Sequence, residues 1–162
     1  MTVGASRPLL DLQGLLEILE GNRRLTLRVI EAFPEEALFQ YKPVDVLRPF
    51  AEMVKEILDI EFDYMKGIAL GEWSFGEVAK EANTKADLLA ACHRVRERTR
   101  ELWPRLTVDR LLQVEPDPFF GGPPQSHLER LVYALENEIH HRGQGYIYLR
   151  LLGIEPPAFY ER

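Results

Sequence analysis

The sequence predicts an all-α fold, a four-helix bundle with long crossover connections, and three observations carry that reading. Four segments place apolar residues at helical intervals of three and four. Each is bounded by residues that start or stop helices. No strand is needed to explain any stretch between them. At roughly 100–200 residues per domain, the 162 residues are expected to form one domain, residues 1–162.

The first helix is expected from about Leu9 to Phe33, with Leu12, Leu16, Leu19, Thr26, Ile30 and Phe33 on one face and Pro34 ending it. Gly14 and Gly21 weaken it locally. A short connection, Glu35 to Arg48, contains Pro43. The second helix starts near Pro49, which suits a first turn, and turns Met53, Ile57, Ile60 and Tyr64 inward before Gly67 closes it. The stretch from Gly67 to Asn83 is long beside the ~2–8 residues of ordinary helix joints. It should therefore cross over the end of the molecule and leave helices two and three parallel.

Thr84, with Asp87 three residues on, marks the entry of the third helix, whose stripe is Leu88, Cys92, Val95, Thr99 and Leu102 up to Pro104. The following irregular stretch, Val114 to Pro124, carries Phe119 and Phe120 and is placed over one mouth of the bundle. Ser126 and Glu129 form a capping-box pattern opening the fourth helix, which runs to Gly153, where Pro156 and Pro157 prevent resumption. Its length of about 27 residues spans roughly 40 Å.

Charge and composition exclude several functions. The formal charge of −6, from 20 lysine plus arginine against 26 aspartate plus glutamate, opposes a nucleic-acid phosphate backbone. Arg94, Arg96, Arg98, Arg100 and Arg105 spread around the third helix between Glu97 and Glu101, which reads as a solvated, salt-bridged face. The longest apolar runs, Leu88–Cys92 and Leu131–Leu135, are five residues, far below the ~20 of a membrane span. Met1 to Pro8 reads as a loose tail without a secretory pattern, and Cys92 is the single cysteine, so a cytoplasmic location is expected. Cys92 itself reads as a small core residue, and His93 and His127 as exposed and unpaired. Trp73, Phe75, Phe119 and Phe120 either line a ligand mouth or pin their connections to the bundle.

The stretch Glu136-Asn137-Glu138-Ile139-His140-His141-Arg142-Gly143-Gln144 sets polar side chains inside a helix and so demands a reason. Asn137 and His141 share a face with Ala134, Gly145 and Tyr148. Two ligands at i and i+4 on a rigid helix make half of a metal site. The same cluster can equally be a metal-free buried network.

His141-Arg142-Gly143-Gln144, followed by Tyr146-Ile147-Tyr148-Leu149-Arg150-Leu151-Leu152-Gly153-Ile154 and Pro156-Pro157, resembles the last helix and tail of the DinB-like bundle proteins. Arg48-Pro49-Phe50-Ala51-Glu52-Met53-Val54-Lys55-Glu56-Ile57-Leu58 resembles their second helix. The resemblance implies a four-helix bundle holding a divalent metal, nickel or zinc or manganese, on three histidines. Those positions fall on Glu56, Asn137 and His141, so two ligands depart from the pattern. His140 lies about 100° around the helix and faces elsewhere.

The resemblance also implies a metal-activated, low-molecular-weight thiol transferred to a small electrophile, and a homodimer. Arg142 and Gln144 are expected to tie the last helix to its neighbours or to a subunit partner. The alternative function is a non-catalytic ligand-binding or homodimeric scaffold whose metal site has degenerated.

Overall fold

The structure is a computed structural model, and it describes residues 10–162. The tail Met1–Pro8 and the expected helix start at Leu9 lie outside those residues. The expected four long helices are α1 (Leu12–Ala32), α3 (Phe50–Leu70), α4 (Lys85–Leu102) and α6 (His127–Leu151). Shorter elements fill the connections: α2 (Glu35–Gln40), a 3₁₀ turn (Trp103–Arg105), α5 (Val108–Leu112) and a two-residue antiparallel pair, β1 (Val114–Glu115) with β2 (Gln125–Ser126). That pair corrects the strand-free expectation, since it staples the two ends of the proline-rich stretch together.

Local chemistry sets the helix ends. Asp11 accepts from the Gly14 amide and starts α1, and Thr84 accepts from the Asp87 amide at α4. Ser126 and Glu129 complete their reciprocal capping box at α6. Gly67 does not close α3, which runs on to Leu70 and ends at Gly71 in the left-handed conformation, φ 75°. Gly67 instead makes room for Trp73, because a Cβ there would stand 2.1 Å from the indole.

The core is two apolar clusters at opposite ends of the bundle. Val29 and Ile30 of α1, with Phe33 just beyond its end, meet Phe50, Ala51 and Val54 of α3, Leu88 and Cys92 of α4, and Leu149 of α6. At the other end Leu15 and Leu19 meet Tyr64 and Ile68, Leu102, and Leu131 and Ala134. The start of α3 thus lies beside the start of α4 and the ends of α1 and α6, so α3 and α4 run parallel, as the long crossover requires. The buried side of α1 is centred on Leu15, Leu19, Asn22 and Thr26, with Leu12 and Leu16 on its flank. No helix among the described residues is long and apolar enough to cross a membrane.

Candidate functional site

Between the two apolar clusters every long helix contributes a polar residue to one buried layer. Glu61 of α3 accepts from Arg96 Nε and Nη2, both at 2.9 Å, from Arg23 Nη2 at 2.6 Å and from Thr99 Oγ1 at 2.6 Å. Glu138 of α6 accepts from Arg23 Nε at 2.9 Å and Thr26 Oγ1 at 2.6 Å. Burial pushes the Glu61 carboxyl up, but Arg96 and Arg23 outweigh it and hold the group well below the ordinary carboxylate range. Arg142 donates to Asn22 O at 3.0 Å and Asn22 Oδ1 at 2.9 Å, fixing α6 against α1 as expected. Gln144 does not reach a neighbouring helix; its amide meets His140 Nε2 at 3.0 Å on the α6 surface.

This layer fixes the register that brings the sequence-selected trio together. Gly145 lets α6 approach α3, since a Cβ there would lie 2.6 Å from the Phe50 ring. One to two turns back along α6, His141 Nε2 donates to Glu56 Oε1 at 3.0 Å and Asn137 Nδ2 donates to the same oxygen at 3.2 Å. Arg48, just ahead of α3, donates to Glu56 Oε2 at 2.7 Å. Burial works to raise the Glu56 pKa, but the bonds from His141, Arg48 and Asn137 bring it down to about 2. The carboxylate is therefore anionic at neutral pH and satisfied on both oxygens.

A divalent ion fits this donor set poorly. Among the described residues no group of three or more His, Cys, Asp or Glu side chains is placed to hold one. His141 Nε2 carries a proton toward Glu56 that a ligating nitrogen would lose, and a guanidinium already neutralises the carboxylate. Asn137 adds only a neutral amide, turned with its nitrogen toward Glu56. Two buried atoms of the trio, Asn137 Oδ1 and His141 Nδ1, have no hydrogen-bond partner among the described residues.

Beside Glu56 opens a cleft of about 640 Å³ whose lining includes Arg48, Asp59, Phe75, Phe120 and Tyr133. Its rim is the long crossover, held to α3 by acidic side chains: Asp59 accepts from the Val78 amide at 2.8 Å and Asp63 from the Gly76 amide at 3.0 Å. Its other lip is the 116–124 loop, where Asp117 accepts from the Phe119 and Phe120 amides, each at 2.8 Å, and from Tyr64 Oη at 2.8 Å. The four loop aromatics divide their labour. Trp73 and Phe119 pin the loops through Gly67 and Tyr64, while Phe75 and Phe120 stay exposed at the cleft.

Two expectations are corrected beneath these loops. His127 is fully buried and stacks on Trp73 with centroids 5.7 Å apart, its Nδ1 accepting from Arg130 Nη1 at 2.7 Å. Burial, with the neighbouring Arg110 and Arg130 charges, pushes its pKa down to about 4. Arg96, expected on a solvated face, is buried in the polar layer. Helical spacing held the clue to that layer: Glu61 lies one turn beyond Ile57 on the buried side of α3, and Arg23 one turn beyond Leu19. Cys92 is buried as expected, and burial raises its thiol pKa to about 11, which leaves it unreactive.

The geometry defines a class: a four-helix bundle with crossover connections and a polar trio on facing helices beside an open cleft. A model of the DinB family matches residues 6–162, and the chain belongs to that family. It is 29% identical over 126 residues to the uncharacterized protein YjoA of Bacillus subtilis, covering 76% of this chain and 80% of that one. The crystal structure of that DinB-like protein superposes with a TM-score of 0.71 at 26% identity, over 91% of this chain and 97% of the other. A DinB-like protein from Bacillus cereus gives a TM-score of 0.73 at 19% identity and the same coverages, a likeness of fold.

Proposed function

We propose that the protein binds a small organic molecule in the cleft beside Glu56, and that Glu56, Asn137 and His141 act there as a metal-free, hydrogen-bonded floor. The observation that carries this reading is the state of Glu56: His141, Asn137 and Arg48 satisfy both carboxylate oxygens at the edge of a cleft of about 640 Å³. That volume lies within the ~300–1,000 Å³ of ligand pockets. The trio's role is to keep one half-buried anionic side chain fixed on a pair of facing helices.

The test is elemental analysis of protein purified without an affinity tag or chelator, for wild type and His141→Ala. The expected result is no stoichiometric nickel, zinc or manganese in either, also after incubation with excess ion, and melting unchanged by EDTA. Stoichiometric metal that disappears in His141→Ala overturns the reading in favour of the metal-dependent thiol transferase that the family resemblance implies. The unpartnered Asn137 Oδ1 and His141 Nδ1 are the feature on that side. The resemblance further implies a homodimer, for which Val132, Ile139, Ile147 and Leu151, exposed on α6, supply the apolar face. Light scattering of wild type against Ile139→Glu tests it, with a dimer in the first and a monomer in the second expected.

A further inference from the structure

The charges lining the cleft pair off with one exception. Arg48 Nη1 lies 2.7 Å from Glu56, Lys80 Nζ 2.8 Å from Glu77, and Lys55 Nζ 3.8 Å from Glu52. Asp59 is left over. Among the described residues no lysine or arginine reaches its carboxylate, whose one hydrogen bond comes from the Val78 amide. Half-buriedness raises its pKa to about 6, opposed by that amide and reinforced by the nearby Asp63, Glu77 and Glu56 charges. A cation brought to this carboxylate would relieve that repulsion.

The remaining lining is apolar and aromatic. Phe75 and Phe120 are 63% and 59% exposed, values that mark them as rings with a free face. Phe120 stands edge-on to Tyr133 at 6.3 Å, and Phe75 edge-on to Phe119 at 5.5 Å, so the rings are braced against one another rather than covered. Aromatic faces attract cations through their quadrupole, most strongly where water is partly excluded. An anionic ligand would find every lining cation already engaged and one carboxylate against it.

Building on the cleft reading above, we infer that the ligand is an organic cation, a protonated or methylated amine on an apolar body. Asp59 faces the charge, while Phe75, Phe120 and Tyr133 surround the body.

Isothermal titration of the full chain with three probes of similar shape tests this: 2-phenylethylamine, protonated at pH 7.5, neutral 2-phenylethanol, and anionic phenylacetate. The amine is expected to bind about tenfold more tightly than either of the others. Asp59→Asn, which keeps an oxygen for the Val78 amide, should reduce that preference to about twofold or less. Glu101→Gln, which removes an exposed charge paired with Arg98 on α4 outside the cleft lining, should leave it intact, and unchanged melting of both variants confirms that they fold. Equal or tighter binding of the alcohol or the carboxylate overturns the inference and leaves the cleft reading standing. Failure of all three probes to bind at millimolar concentration overturns both.

Discussion

Glu61→Gln is the substitution on which the account of the fold depends most. The carboxylate takes four donors at 2.6–2.9 Å, three of them from the guanidinium groups of Arg23 and Arg96. Glutamine has the same shape but offers one acceptor oxygen. Its amide nitrogen must turn a donor toward either Arg96 Nε and Thr99 or Arg96 Nη2 and Arg23. It also removes the negative charge from between two buried cations, leaving Glu138 to neutralise both. Removing one partner of a buried pair costs about 3–5 kcal/mol, and in a chain of this size each kcal/mol moves Tm by about 2–4 °C. The expected fall in Tm is therefore about 6–20 °C, read by circular dichroism at 222 nm and pH 7, with a matching loss in urea unfolding. A loss below about 1 kcal/mol would refute the claim that this layer is dry and charge-balanced.

Other substitutions test individual contacts. Gly67→Ala gains up to about 1 kcal/mol of helix propensity but drives a Cβ into Trp73. A net loss of about 1–2 kcal/mol and a shifted tryptophan emission are expected. Gly143→Ala meets nothing within 4 Å and should stabilise by about 0.5–1 kcal/mol in the same melt. His127 stays neutral in the fold to about pH 4 but takes a proton near pH 6.5 once unfolded. Between those values the unfolded chain binds more protons, so stability falls with falling pH, by up to about 3 kcal/mol. Tm measured from pH 7 to pH 4 should show this slope in wild type and a flatter one in His127→Phe, whose ring keeps a flat partner for Trp73.

Features written in local chemistry were legible in the sequence. Thr84 with Asp87 and Ser126 with Glu129 cap their helices whatever else the chain does, so the starts of α4 and α6 followed directly. The stripes Met53-Ile57-Ile60-Tyr64 and Leu88-Cys92-Val95-Thr99-Leu102 are all buried, because apolar periodicity and burial coincide there. Apolar spacing on α1 misses the centre of its buried face because Asn22 and Arg23 are polar and carry the pattern of a surface. Arg96 and His127, buried in the structure, carry the same surface pattern in sequence. A charged residue is buried only when a partner far along the chain neutralises it, and Glu61, Glu138 and Trp73 are brought there by the fold. In sequence, a glycine that stops a helix is indistinguishable from one that, like Gly67, makes way for a side chain six residues later. Glu56, Asn137 and His141 were brought together by helical spacing plus the family resemblance. The third partner, Arg48, and the exposed Phe75 and Phe120 depend on loop paths that periodicity does not determine.

The trio also permits a constructive test. If Glu56 and Asn137 are what separates this chain from the three-histidine set of the resemblance, then Glu56→His with Asn137→His should rebuild it on an unchanged scaffold. The backbone already suits the purpose: donors from both α6 positions lie 3.0 and 3.2 Å from one Glu56 oxygen, close to the spacing of neighbouring ligands around an ion with bonds of about 2.1 Å. Arg48 is the obstacle. Released from its carboxylate, its solvent-exposed guanidinium would oppose a doubly charged ion by roughly 2 kcal/mol at about 4 Å, enough to weaken binding about thirtyfold. The double variant should therefore hold zinc weakly, and adding Arg48→Ala should bring binding to one equivalent, measured by elemental analysis and by a rise in Tm with added zinc. A triple variant that melts cooperatively yet takes up no metal would refute the reasoning, because ligand identity and local charge would then not be what distinguishes this site from a metal centre.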